Sequence, residues 1–127
     1  MRKRMIAGNW KMNKTFSEAI VLAQGIVDEL SAGTGDVDVV APPAVDLKGV
    51  SEVLTQANSS VALSAQNVYW EESGAYTGET APSMLESVGA THCIIGHSER
   101  RGYFGETDED INRKAKALMA HGIIPIS

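Results

Sequence analysis

The chain alternates between short apolar runs and longer amphipathic stretches. The apolar runs cover residues 5–7, 37–41, 61–65, 93–95 and 123–126. Each run is too short for a buried helix and most are rich in β-branched residues, so each predicts a strand. The runs are nearly continuous rather than alternating with polar residues, which is typical of parallel strands covered on both faces.

The amphipathic stretches predict four helices between these strands. Thr15 and Glu18 have capping-box spacing ahead of an apolar stripe. A weaker helix is predicted over residues 45–54, a third begins at Pro82, and a fourth covers residues 108–121. Met84, Leu85 and Val88 are expected to face inward from the third helix, and Met12 and Met119 are expected to serve in packing.

The resulting order is strand and helix in strict alternation, with a repeat of about 30 residues. A chain of 127 residues suffices for one compact domain, residues 1–127, and is too short for two. We expect an α/β fold with a parallel sheet. Periodicity alone leaves two architectures open, a doubly wound open sheet and part of a (β/α) barrel.

Composition and charge disfavour several classes of function. The net charge is −5 and the pI is about 5.1, which disfavours binding to nucleic acid or to anionic membranes. No apolar run approaches the roughly 18 residues of a membrane span. The single cysteine, Cys93, allows no disulfide within the chain and suits a reducing, cytoplasmic environment.

Polar side chains collect where the predicted strands end. Asn9 and Lys11 follow the first strand, and His97 and Glu99 follow the fourth. Loops that follow parallel strands lie at one edge of the sheet, where α/β proteins bind ligands. We therefore expect these four side chains to converge.

His97 is expected at a helix start, where the helix dipole favours a neutral imidazole that can donate to a developing oxyanion. Lys11 would attract an anionic substrate. Taken singly, each residue also fits a structural role: a solvated lysine in a turn, or a histidine that caps a helix. His92 and His121 are interpreted as structural. Three histidines and one cysteine lack the spacing of a metal site, so none is predicted.

Five segments carry a resemblance to a known family. In chain order they are AGNWKMN, GAYTGE, GHSERR, ETDEDINRKAKA and GIIPI. Together they resemble the N-terminal half of triosephosphate isomerase, about four and a half of its eight βα units, along nearly the whole chain. The resemblance implies a parallel half-barrel of the (β/α)8 type. It also implies an enzyme that interconverts dihydroxyacetone phosphate and glyceraldehyde 3-phosphate in glycolysis and gluconeogenesis, without a cofactor.

The resemblance assigns roles to individual residues. Asn9 and Lys11 would bind substrate, and Lys11 would offset its negative charge. His97 would polarise the carbonyl and move protons between the substrate oxygens, with Ser98 and Glu99 as supporting residues. The loop with Tyr76, Thr77 and Gly78 would insert into a second subunit, where Thr77 would reach Asn9.

The family's glutamate base, its lid and its phosphate loops have no counterpart in these 127 residues. We therefore expect the chain alone to be inactive. A half-barrel would also leave inward side chains such as Ile6, Val39, Leu63 and Ile94 without partners, so we expect a homo-oligomer, a dimer or larger. Two alternatives stay open: one chain of a split isomerase completed by a C-terminal half, or a non-catalytic module that binds phosphorylated metabolites or regulates the full enzyme.

Overall fold

A computed structural model describes residues 3–127 of the chain. Its five strands match the five apolar runs, with no end displaced by more than two residues. The strands are β1 (Met5–Asn9), β2 (Val37–Ala41), β3 (Ala62–Ala65), β4 (His92–Ile94) and β5 (Ile124–Ile126).

All four strand pairings are parallel, and the order in the sheet is the order in the chain. Each crossover therefore advances by one strand in the same direction. A doubly wound sheet would reverse its strand order at a switch point, and this one does not. The strands form a curled half-barrel, which decides between the two architectures.

Five helices connect the strands. They are α1 (Phe16–Glu29), α2 (Leu47–Gln56), α3 (Pro82–Ser87), α4 (Ser98–Phe104) and α5 (Asp108–Ala120), with a 3₁₀ turn at Ala44–Asp46 ahead of α2. The capping box of α1 is present: Glu18 Oε1 accepts hydrogen bonds from the N–H and hydroxyl of Thr15, both at 3.0 Å. Two helices follow β4: α4 begins directly after His97, where a helix start was predicted, and α5 corresponds to the helix predicted over residues 108–121. Gly105, at φ +68°, ends α4 in the left-handed conformation that glycine adopts without strain.

The core lies between the sheet and the helices. Val40, Leu63 and Cys93 from the strands pack with Leu85 of α3 and Leu118 of α5. Full burial of one such aliphatic side chain contributes about 2 kcal/mol.

The predicted packing role of the methionines is wrong. Met12, Met84 and Met119 are 95%, 52% and 59% exposed, whereas Leu85 is buried. Helix α3 has six residues and so presents only a narrow face to the core. Leu85 occupies that face, and Met84, one residue earlier, points away from it.

The four residues expected to point inward do not share a face of the sheet. Ile6 pairs in register with Asp38, and Val40 pairs with Leu63, which places Ile6 and Leu63 on the face that carries the helices. Only Ile6 is exposed, while Val39, Leu63 and Ile94 are buried within the described chain. The expectation that all four lose their partners is therefore wrong.

The exposed apolar side chains of the sheet lie on its two outer strands. Met5 and Ile6 of β1 are 43% and 52% exposed, and Ile124 of β5 is 50% exposed. Within residues 3–127 each of these strands pairs on one side only. The central strands are buried, so the exposed apolar side chains of this open sheet are concentrated on its two outer strands.

Candidate active site at the carboxyl edge of the sheet

The residues predicted to converge do so. A groove of about 410 Å³ at the carboxyl ends of the strands is lined by Asn9, Lys11, His97 and Glu99, together with other residues. Asn9 ends β1, while His97 lies three residues beyond the end of β4. Because the strands are parallel, positions about 90 residues apart in sequence meet at one edge.

Lys11 has an unusual backbone. Its φ of +56° lies in the left-handed region, which residues other than glycine and asparagine rarely adopt. The Asn9 side chain stabilises this turn, because Oδ1 accepts a hydrogen bond from the Lys11 N–H at 2.9 Å. Asn9 therefore shapes the loop that presents Lys11.

Lys11 and Glu99 form an ion pair across the groove. Lys11 Nζ lies 2.7 Å from Glu99 Oε1, with the two side chains 52% and 39% exposed. The hydrogen bond from Lys11 lowers the pKa of Glu99, and the same bond raises the pKa of Lys11. Both groups are thus held charged at neutral pH, and solvent can still reach them.

His97 occupies the N-cap position of α4. Its Nδ1 accepts a hydrogen bond from the Glu99 backbone N–H at 3.1 Å. An accepting Nδ1 carries no proton, so the neutral ring carries its proton on Nε2. Glu99 Oε2 lies 3.9 Å from Nδ1. The arrangement gives a neutral donor beside a cation, which is suited to an oxygen that gains negative charge.

Glu106 connects several segments of this region, a role that was not predicted from the sequence. Its carboxylate accepts hydrogen bonds from the Gly96 N–H at 2.7 Å, from Arg100 Nε at 3.1 Å and from Lys114 Nζ. Burial raises the pKa of Glu106, but the bonds from Lys114, Arg100 and Gly96 outweigh it and hold the pKa below its ordinary value. Lys114 also donates to Asn67 Oδ1 at 2.8 Å.

This cluster explains how α4 is held in place. Helix α4 buries none of its residues, so apolar packing does not fix it. Glu106 instead joins the segment ahead of the helix, a side chain within it, and α5. In the sequence Glu106 is one acid of the run ETDED, and its position after the glycine that ends α4 is the only local sign that distinguishes it.

The remaining predicted residues lie at the periphery. Ser98 is exposed at the first position of α4. Tyr76, Thr77 and Gly78 are exposed in the loop between β3 and α3, and the Tyr76 ring packs on Tyr69 with centroids 4.7 Å apart. The subunit contact predicted for this loop stays a prediction.

The two histidines interpreted as structural differ from each other. His92 is buried, its Nδ1 lies 2.8 Å from the Thr91 hydroxyl, and burial lowers its pKa. His121 instead contacts two carboxylates: Nε2 lies 2.9 Å from Glu72, and Nδ1 lies 3.4 Å from Glu86. No local pattern indicates this pairing, because His121 lies 35 positions from Glu86 and 49 positions from Glu72.

No cluster of three or more His, Cys, Asp or Glu side chains that could hold a metal ion occurs in residues 3–127. Burial raises the pKa of the Cys93 thiol to about 12, so this cysteine is not a nucleophile. Among the described helices, none is long and apolar enough to cross a membrane.

A parallel half-barrel with a lysine, a histidine and a glutamate at the carboxyl edge of its strands defines a protein of the (β/α)-barrel class. The sequence profile described as triosephosphate isomerase matches residues 4–127. The chain belongs to the triosephosphate isomerase family.

Individual relatives agree. The chain is 48% identical to the triosephosphate isomerase of Thermoanaerobacter pseudethanolicus over 99% of its own length and 50% of that protein. It is 52% identical to the Clostridium botulinum enzyme, again over 99% and 50%. The crystal structure of triosephosphate isomerase from Bartonella henselae superposes with a TM-score of 0.83 at 33% identity, covering 98% of this chain and 49% of that one. The chain spans about half the length of the curated relatives it matches and corresponds to their N-terminal half.

Proposed function

We propose that this chain supplies the Lys11 and His97 side of a triosephosphate isomerase site. The reaction is the interconversion of dihydroxyacetone phosphate and glyceraldehyde 3-phosphate in the cytosol. The observation that carries the proposal is the single groove in which Lys11, Glu99 and His97 meet, in a chain of this family. The residue roles follow from the chemistry of that groove.

In this proposal Lys11 attracts the anionic substrate and stabilises charge that develops on its oxygens. The Nε2 proton of His97 hydrogen-bonds the carbonyl oxygen and passes between the two substrate oxygens as the enediolate forms and collapses. Asn9 contributes to binding and holds the Lys11 turn, and Ser98 and Glu99 support the pair. No cofactor takes part.

We propose further that residues 1–127 on their own do not turn over substrate. Isomerisation removes a proton from carbon, which needs a base within hydrogen-bond reach. Within residues 3–127, Glu99 is the one carboxylate that lines the groove, and it is paired with Lys11. Glu106 is buried and bonded to three donors.

The exposed apolar side chains on β1 and β5 support self-association of the isolated chain as a homo-oligomer. A closed barrel has no strand edges, whereas this half has two. Sedimentation at micromolar concentration tests this part. A monodisperse monomer would contradict it.

Complementation tests the main proposal. The purified chain is assayed alone and after mixing with the C-terminal half of the Thermoanaerobacter pseudethanolicus relative. We expect turnover of the mixture only, and at least about a 100-fold loss with Lys11→Ala or His97→Gln. The Lys11→Ala chain also controls for isomerase carried over from the host. Lys11-dependent turnover near 10 s⁻¹ by the chain alone would show that a base exists which this proposal overlooks.

Binding without turnover is the second candidate, since residues 3–127 alone form the groove with its lysine and histidine. It predicts that a triose phosphate binds the isolated chain and that Lys11→Ala abolishes the binding. Calorimetry on the two chains distinguishes this outcome from an isolated half that does not bind at all.

A further inference from the structure

Gln66 joins the ends of three neighbouring strands through one amide group. It follows β3 directly, and its Nε2 donates to the Ala41 carbonyl at 2.8 Å and to the Lys11 carbonyl at 2.9 Å. Ala41 ends β2, and Lys11 lies in the loop after β1. The two carbonyls therefore use both N–H donors that a glutamine amide possesses.

The contact with Lys11 matters because of the backbone there. A lysine with φ near +56° is strained, and strain of this kind persists only where the surroundings enforce it. Two side-chain bonds restrain this residue: Asn9 Oδ1 accepts from its N–H, and Gln66 Nε2 donates to its carbonyl. One bond comes from Asn9 at the end of β1, while the other links the Lys11 loop to Gln66 after β3.

The Ala41 carbonyl adds a further restraint. It also accepts the Trp10 N–H at 3.0 Å, next to the last β1–β2 register pair, Asn9 with Ala41. Gln66 therefore fixes the turn relative to the point at which the β1–β2 ladder ends. Neutral glutamine suits this position, because it supplies two donors without bringing a second positive charge to the Lys11–Glu99 pair.

We propose that Gln66 is a positioning residue for Lys11: by holding the Lys11 carbonyl against β2, it keeps the backbone left-handed and aims Nζ at Glu99 in the groove. Its effect on substrate rests on the proposed function, but the geometry can be tested without substrate. Without the amide, Lys11 relaxes to an ordinary backbone conformation and its ammonium leaves Glu99.

The first test uses the unmodified chain and NMR. Because both Gln66 Nε2 protons are hydrogen-bonded, their exchange with solvent should be at least about tenfold slower than that of Gln24 and Gln56, which are exposed on helices. Exchange as fast as at those two positions would overturn the proposal, and this measurement depends on no variant.

The second test compares Gln66→Met, which keeps the length but removes both donors, with Gln24→Met as the matched control. For Gln66→Met we expect loss of the strong intraresidue HN–Hα contact of Lys11 that marks positive φ. We also expect the pKa of Glu99, followed by its carboxyl ¹³C shift, to rise toward its ordinary value. Gln24→Met should change neither signal.

A folded Gln66→Met chain that keeps both signals would overturn the proposal. A purely structural role would lower stability without moving the Glu99 titration. Neither readout uses substrate. The test of Gln66 therefore stays valid even if the proposed isomerase function is wrong.

Discussion

Two lysine–glutamate pairs lie beside each other at the carboxyl edge of the sheet, and they differ in burial. Lys11 and Glu99 are 52% and 39% exposed, whereas Lys114 and Glu106 are 5% and 2% exposed. A buried charge must be matched by donors and acceptors, and Glu106 has three donors. A solvated pair contributes little to stability but stays available to a ligand.

The buried pair holds the local structure in place, whereas the exposed pair faces the groove, although the two glutamates are only seven positions apart in the chain. Glu106 fixes Gly96, the residue directly before His97, while Glu99 contacts Lys11 inside the groove. We expect substitutions in the buried pair to change the fold first, and substitutions in the exposed pair to change the chemistry first.

The largest effect is expected at Glu106. Glu106→Ala leaves Lys114 and Arg100 without their buried partner, so the free energy of unfolding should fall by about 3–5 kcal/mol. Urea denaturation measures the loss. Glu106→Leu with Lys114→Met removes the charge and its partner together and should be milder than Glu106→Ala. A loss below about 1 kcal/mol for Glu106→Ala would mean that water replaces the lost carboxylate.

The same carboxylate predicts a loss of stability in acid. Its pKa in the folded chain is below the ordinary 4.5, so its contribution is complete above that value and is lost as pH falls through the folded pKa. The difference in unfolding free energy between the unmodified chain and Glu106→Ala should therefore shrink below pH 4.5. A difference that is constant with pH would contradict this assignment.

Asp46 tests the opposite case, a buried carboxylate without partners. Both of its oxygens are buried and make no hydrogen bond within the described chain, and burial raises its pKa. Its charge therefore destabilises the fold as pH rises through the folded pKa. Asp46→Asn should raise the free energy of unfolding at pH 7 by about 1 kcal/mol. At a pH below 3.8 the gain should disappear; a stabilisation equal at both pH values would argue against desolvation as the cause.

His121 predicts a smaller effect near neutral pH. The hydrogen bond to Glu72, together with Glu86, raises its pKa above 6.5. Its contribution to stability is therefore complete below pH 6.5 and is lost as pH rises through the folded pKa. Urea midpoints of the chain and of His121→Gln should differ at pH 6 and converge in more alkaline buffer. The reverse trend would show that the ring is held neutral.

The smallest effect on stability is expected at Lys11, where the ion pair is solvated. Lys11→Met should leave the urea midpoint unchanged within error while the pKa of Glu99 rises toward its ordinary value. Lys48→Met, which breaks the exposed pair with Glu52 on α2, serves as the control for a surface lysine. A much larger fall in the free energy of unfolding for Lys11→Met than for Lys48→Met would contradict this prediction. It would show that the Lys11–Glu99 pair stabilises the fold as the buried Lys114–Glu106 pair does.

The sequence by itself determined the five strands and the residues of the groove. Short, nearly continuous β-branched runs predicted parallel strands, while the order of those strands in the sheet stayed open between a doubly wound sheet and a barrel until the structure decided it. The motifs around Asn9, Lys11, His97 and Glu99 were sufficient to name the residues that meet, since parallel strands bring their carboxyl ends to one edge.

Tertiary structure decided the rest, because burial and pairing depend on neighbours that sequence distance hides. Gln66 reaches Lys11 across 55 positions, and His121 reaches Glu72 across 49. Only its place after Gly105 distinguished Glu106 from the three other acids of ETDED, and nothing local marked Met84 as exposed beside Leu85. The pattern of apolar positions predicts which side chains can be buried. The packing of the sheet and helices decides which side chains are buried, and each charge that is buried then needs a partner.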